Sequence, residues 1–212
     1  MFDFKDLKKD IQKYFDDGGA HSFDHTQRVC DLAITIAHDE EIDPEVLKAA
    51  ALLHDIARLK QWKKEIKCHA EEGAKMAPEI LKKHGFSEEK INKVVHCIQA
   101  HRKSKELNPE TREAEILQDA DRLDVLGAIG IMRVIAHYHN LTLFDADEKE
   151  PTGFKFNDQN KEPKTIYNYM FNLTYLQPST FRTKKAKEIC KSRLKFLNNY
   201  LKQFKKEWQG EI

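Results

Sequence analysis

The sequence predicts an all-α, single-domain fold. Three observations carry this. Apolar residues recur at helical spacing along nearly the whole chain, the runs open and close on capping or breaking residues, and no repeat, low-complexity tract or composition break divides them. Phe4, Leu7, Ile11, Tyr14 and Phe15 place a first helix over 3–16, closed by the "DDGGA" stretch. Ser22 caps a second that runs through Val29, Leu32, Ala33 and Ile36 to about His38. Asp43-Pro44 is an N-cap followed by proline at the first helical position, and the helix it opens carries Val46, Leu47, Ala50, Leu53 and His54. A fourth helix runs from about Cys68 to His84 and stops at Gly85. Ser87, with Glu89 and Lys90, opens a fifth through Ile91, Val94, Val95 and Ile98 to His101. After the loop "SKELNPE" the pattern resumes at Thr111 and continues, with a kink near Asp119, to about Tyr138. The polar stretch 144–164 holds two prolines and a glycine and is too long for a simple connection, so it is expected to act as a lid. Helices over 165–176 and 183–208 finish the chain. The last places Ala186, Ile189, Cys190, Leu197, Tyr200, Leu201, Phe204 and Trp208 on one face.

Composition narrows the function. The chain of 212 residues is 40% hydrophobic and 33% charged with a net charge of +1, a globular balance with no global field for nucleic acid or membrane. Cys30, Cys68, Cys97 and Cys190 lie far apart with no C-x-x-C pair, which argues against a zinc ribbon or a thioredoxin-like motif. The N-terminal "MFDFKDLKKD" lacks the apolar core of a signal peptide, and no stretch approaches 18 apolar residues. A cytoplasmic setting is expected.

Two His-Asp dipeptides occur. His38-Asp39, in "AHDEEIDP", falls at a helix end and reads as solvated. His54-Asp55 instead extends the apolar face of the Asp43 helix, with Leu52, Leu53 and Ile56 around it, where a carboxylate is costly unless paired or metal-bound. Partners are on offer elsewhere. His21 and His25 share a helical spacing in "HSFDHTQRV". Asp119, Asp121 and Asp124 cluster among apolar residues in "LQDADRLDVLGAIG", after a stretch from 56 to 118 without aspartate. His69, His96 and His101 fall at or near helix ends. Imidazoles and carboxylates drawn from several helices make a mixed nitrogen and oxygen site. Such a site suits Mn²⁺, Fe²⁺, Mg²⁺, Co²⁺ or Ni²⁺ better than a closed structural zinc. Hydrogen-bonded core or surface histidines are the bland alternative.

The order His25, His54-Asp55, Asp121 on consecutive helices resembles the HD superfamily of metal-dependent phosphohydrolases. "HSFDHTQRV", "ALLHDIAR" and "QDADRLDVLGAIGIMR" are similar to a group of small bacterial HD hydrolases of about this length, and the likeness extends to "FLNNYLKQFKKEW". The resemblance implies an HD-type helical bundle over 1–212, with His25, His54, Asp55 and Asp121 as metal ligands. It implies His69 and His101 as second-metal ligands if the chain belongs to the dinuclear branch. It assigns no role to His96. Arg58 and Arg122 are placed in sequence to meet a substrate phosphate, with ion-pair roles as the alternative, and Lys103 and Lys105 have weaker claims. The chain departs from the group at Ser22, where Asp is common, and at Asn168 and Asn172, where relatives carry His and Lys.

The expected reaction is hydrolysis of a phosphate ester or anhydride, with Asp55 or Glu72 orienting or deprotonating water. A nucleotide is the expected substrate, cleaved either from triphosphate to monophosphate and pyrophosphate or from monophosphate to phosphate. No Walker-type glycine loop is present, so metal must do most of the phosphate work. Two rivals stand beside this reading. One is an HD-type diiron oxygenase, which needs His69 and His101. The other is a non-enzymatic module that binds metal, or binds nucleic acid through Lys184, Lys185, Lys187, Lys191, Arg193, Lys195 and Lys202. A lysine-rich outer face on an amphipathic helix is more often simply solvated.

Overall fold

Asp3 accepts a hydrogen bond from the Lys5 amide and starts α1 (Phe4–Ile11), which tightens into a 3-10 turn at Gln12–Tyr14. The computed structural model describes residues 2–15, 22–103, 107–148 and 163–211. After α2 (Phe23–Ile36), Asp43 caps α3 (Pro44–Leu53) by accepting from the amides of Glu45 and Val46. A short α4 (Arg58–Trp62) precedes α5 (His69–Lys83) and α6 (Glu88–Ala100), the latter capped by Ser87. Then come α7 (Arg112–Leu123), α8 (Gly127–His137), α9 (Ile166–Leu173) and α10 (Lys184–Trp208), with a 3-10 turn at Pro178–Thr180. No strand occurs among the described residues, only a single bridge between Thr142 and Thr165. The all-α expectation holds.

The chain divides into two compact units, Met1–Asp121 and Arg122–Ile212, with the boundary inside α7. In the first, α5 packs on α6, α2 on α3 and α3 on α6. Leu47, Leu52, Leu53, Ile91, Ile98, Ile116 and Leu117 are fully buried there. Each contributes roughly 1.5–3 kcal/mol over its exposed state. In the second, α10 packs against α8, α9 and the 3-10 turn. None of the described helices is long and apolar enough to cross a membrane.

Two expectations need correction, and one helix is added. The helix expected over 3–16 ends at Ile11. The segment 58–62, which no expected helix covers, forms α4. The helix expected from Thr111 to Tyr138 with a kink at Asp119 is two helices, broken at 124–126. Gly127 has φ +75°, and a Cβ on Gly130 would lie 2.1 Å from the Val125 carbonyl oxygen, so the chain folds back on the start of α8 in a way only glycine allows. The break hid because Val125 and Leu126 keep the apolar period running across it. Of the expected lid, 149–162 lie outside the described residues, as do the 16–20 break, His21 and Lys105.

Candidate metal centre

α3 stops at Leu53, and His54 occupies its C-cap. The following turn, closed by the Ile56 and Arg58 amides on the carbonyls of Leu53 and Asp55, leaves Asp55 beside His54 in the core. The other ligand candidates also sit near helix ends. His25 is in the first turn of α2, His69 opens α5, His101 is the C-cap of α6, and Asp121 is in the last turn of α7. All six lie in the first unit. Five are buried to 3% exposure or less, and the Asp121 side chain alone is substantially open, at 27%.

They form two groups of potential ligand atoms. His25, His54 and Asp121 make the first, and Asp55, His69 and His101 the second. Asp121 Oδ1 lies 3.3 Å from His25 Nε2 and 3.9 Å from His54 Nε2. Asp55 faces both groups. Its Oδ2 is 3.8 Å from Nε2 of both His25 and His54, while its Oδ1 is 3.1 Å from His69 Nε2 and 4.0 Å from His101 Nε2. Ligands about 2.1 Å from one ion lie about 3–4 Å apart, so the spacing fits metal coordination.

The hydrogen bonds fix which nitrogen each imidazole offers. His54 Nδ1 donates to the Ala51 carbonyl at 2.7 Å and His101 Nδ1 to that of Ile98 at 2.6 Å. Gln61 Oε1 is held as an acceptor by the His69 amide at 3.0 Å, so His69 Nδ1, 2.6 Å away, must donate to it. All three rings therefore turn a bare Nε2 inward, the arrangement of a metal-ligating histidine with its second nitrogen anchored. His54 Nε2 is buried and has no hydrogen-bond partner among the described residues, a cost that coordination removes. The Nε2 atoms of His69 and His101 are 3.2 Å apart. Protonation would relieve that contact, but burial and the neighbouring His54 and His69 push His101 down to about 3, and burial lowers His69 as well. At Asp121 burial raises the carboxyl, yet the neighbouring imidazoles, first of all the contact with His25, outweigh it and hold the group well below the usual carboxylate range. Ionised carboxylates opposite inward lone pairs are what a divalent cation resolves. The residues fit a metal.

Arg58 Nη1 is 2.9 Å from His69 Nδ1 and 3.4 Å from Nε2. Because Nδ1 is already a donor, Arg58 meets the ring as a positive charge at the edge of the second group. The remaining candidates belong to neither group of ligand atoms. Glu72 pairs with Lys60 at 3.5 Å and Lys75 at 3.9 Å. Arg122 donates to Thr180 and lies over the Phe181 ring. His96 Nε2 accepts from the Glu110 amide and holds the loop before α7. His38 and Asp39 contact each other at 2.7 Å with side chains 84% and 92% exposed, as expected of a solvated pair. Gln61 escaped the sequence reading because α4 did. Its signal would have been a polar side chain eight residues before a ligand histidine.

Residues 22–126 match the family model of the HD domain and include all six ligand candidates. The chain is an HD-domain protein. Its HD fold is shared over nearly the full length by solved relatives. A predicted HD superfamily hydrolase from an uncultured Thermotogales bacterium is 29% identical, with a TM-score of 0.68 over 96% of this chain and 92% of that one. An HD-superfamily hydrolase of Bacillus thuringiensis is 28% identical, with a TM-score of 0.70 over 96% and 94%. YpgQ of Bacillus subtilis, solved in complex with ADP, is 26% identical, with a TM-score of 0.70 over 97% of both chains. Among curated proteins the same YpgQ is 26% identical over 199 residues, 92% of this chain and 88% of its own length. The HD domain here thus belongs with superfamily hydrolases and carries His/Asp groups that could hold divalent metal.

Proposed function

We propose that the protein is a metal-dependent phosphohydrolase acting on a nucleotide, with His25, His54, Asp55 and Asp121 holding one divalent ion and Asp55, His69 and His101 a second. The observation that carries the proposal is Asp55, whose two oxygens face different ligand groups. The ADP complex of YpgQ supports a nucleotide. The mixed nitrogen and oxygen donors suit Mn²⁺, Fe²⁺, Mg²⁺, Co²⁺ or Ni²⁺. Metal bound in such a site polarises a phosphoryl oxygen and acidifies water.

The side chains divide the remaining work. Arg58, beside His69, offers positive charge to the phosphate. Asp55, which faces both groups, would orient or deprotonate the attacking water, and the alternative base is Glu72, one helical turn after His69. Its lysine partners Lys60 and Lys75 hold its carboxylate in place. Gln61, Ala51 and Ile98 keep the three imidazoles in their ligating tautomer. A cytoplasmic setting accords with four free, buried cysteines.

Product analysis tests this. Metal-free protein is incubated with nucleoside and deoxynucleoside mono-, di- and triphosphates and Mn²⁺, and the products are resolved by phosphorus NMR beside Asp55→Ala. Pyrophosphate formed only by wild type with metal identifies a triphosphate pyrophosphohydrolase, and phosphate alone a phosphatase. No turnover of any nucleotide by metal-loaded protein sinks the nucleotide assignment. The second ligand group is also what a diiron oxygenase would need. A diiron absorption band in freshly isolated protein would favour that reading.

A further inference from the structure

Asp121 differs from the other five ligand candidates in what holds it. Those five side chains are packed on all sides, whereas Asp121 is 27% exposed and sits in the last turn of a helix. The last carbonyls of a helix lack intrahelical partners, and such turns open readily. Two guanidinium groups meet this turn. Arg122, the next residue, donates through Nη1 to the Thr180 carbonyl at 2.8 Å and through Nη2 to the Thr180 hydroxyl at 2.9 Å. It also lies over the Phe181 ring, 4.4 Å from the centroid. Arg193, from α10, donates to the carbonyl of Leu123, the final residue of α7, at 2.5 Å, and the same carbonyl accepts from the Leu126 amide at 3.0 Å. Its stem passes Gly127 so closely that a Cβ there would lie 3.1 Å from Arg193 Cγ. A cation on the terminal carbonyl also complements the negative end of the helix dipole.

We propose that Arg122 and Arg193 are positioning residues for the metal ligand Asp121: together they lock the carboxyl end of α7 so that Asp121 is presented in its ligating place. Arg122 supplies the lateral anchor and Arg193 the terminal cap. The inference rests on the metal reading above and adds the device that holds its one open ligand.

The test uses the whole chain, metal-free, titrated with Mn²⁺ by calorimetry. Hydrogen exchange of the peptides covering 119–126 is followed alongside. Arg122→Ala is expected to weaken Mn²⁺ binding about tenfold, the low end of the effect of a residue supporting a metal ligand. Exchange at 119–126 is expected to quicken while exchange in α3 and α6 stays unchanged. In an Asp121→Ala background the same substitution is expected to cost no further affinity, since the ligand it serves is gone. Thr180→Val, which removes one acceptor and keeps the shape, gives a smaller loss of the same kind. So does Arg193→Met, which keeps the stem beside Gly127. Wild-type affinity in Arg122→Ala and Thr180→Val overturns the proposal. So does an equal loss with and without Asp121, which would mark general destabilisation. If wild type takes up no Mn²⁺ or other divalent ion, the metal reading fails and this inference with it.

Discussion

A histidine pair 3.2 Å apart with both outer nitrogens spoken for has a definite pH signature. His101 is held near 3 in the folded chain and returns to about 6.5 on unfolding. The unfolded state therefore binds a proton that the folded state refuses. Stability is full above about 6.5 and is lost as pH falls toward 3, at up to about 1.4 kcal/mol per pH unit for this one group. Urea midpoints of metal-free wild type and His101→Gln at pH 7, 5.5 and 4.5 check this. The wild type should lose more than the variant as pH falls, and parallel losses would refute it. At this scale the sequence was informative wherever chemistry was discordant with its surroundings. His54-Asp55 stood out because carboxylates do not end apolar faces without cause. Asp119, Asp121 and Asp124 stood out together because aspartates reappear at 119–124 among buried leucines, and the resemblance chose Asp121 among them. His69 and His101 stood beside His96 as histidines near helix ends, and only the resemblance separated them from it, since a histidine there has many ordinary uses, as His96 shows by holding the Glu110 amide.

The elements that carry ligands stop where the ligands are needed, and the sequence marks some of those stops better than others. Asp43-Pro44, Ser87 and Gly85 gave α3, α6 and the end of α5 directly. The end of α7 left no such mark, because its apolar period runs on through Val125 and Leu126 into α8. Only the left-handed backbone at Gly127 and the contact at Gly130 break it. Gly130→Ala should destabilise the protein by about 3 kcal/mol, because the new methyl meets a backbone oxygen that has no room to yield. Thermal denaturation of the purified variant reads this, and an unchanged midpoint would show that the turn can relax. The start of α7 is held differently. Arg112 grips the Glu40 carboxylate with two donors at 2.7 and 2.9 Å, and Glu113 accepts from the Asp43 amide at 2.8 Å. The helix bearing Asp121 is thus tied at both ends.

Over the whole chain, the HD match spans 22–126 while solved relatives cover 92% or more of their own length, so residues beyond the ligand set share the fold as well. The all-α class was legible because helical periodicity and capping agree along the chain. The division into two units was not, because α7 runs through it without a change of composition. A ligand that binds only the folded state stabilises it by mass action. Mn²⁺ at a hundredfold excess over its dissociation constant should therefore raise stability by about 2.7 kcal/mol. Asp55→Ala should lose that gain, and a metal-independent urea midpoint in wild type would count against the centre.

The burial of five ligands out of six also sets a clock. Among the six ligand residues Asp121 alone has a substantially exposed side chain, and five buried ligands would still cover the ion, so its escape would be gated by local opening of the α7 end and not by collision with the chelator. The rate of stripping by EDTA should plateau as EDTA concentration rises, at a first-order limit that belongs to the protein. A rate that stays proportional to EDTA would mean that the ion is reached without any such opening. A plateau makes the loaded protein a kinetic trap: it would carry its metal through gel filtration and dilution, so its occupancy would record where it folded and not the buffer it was last placed in.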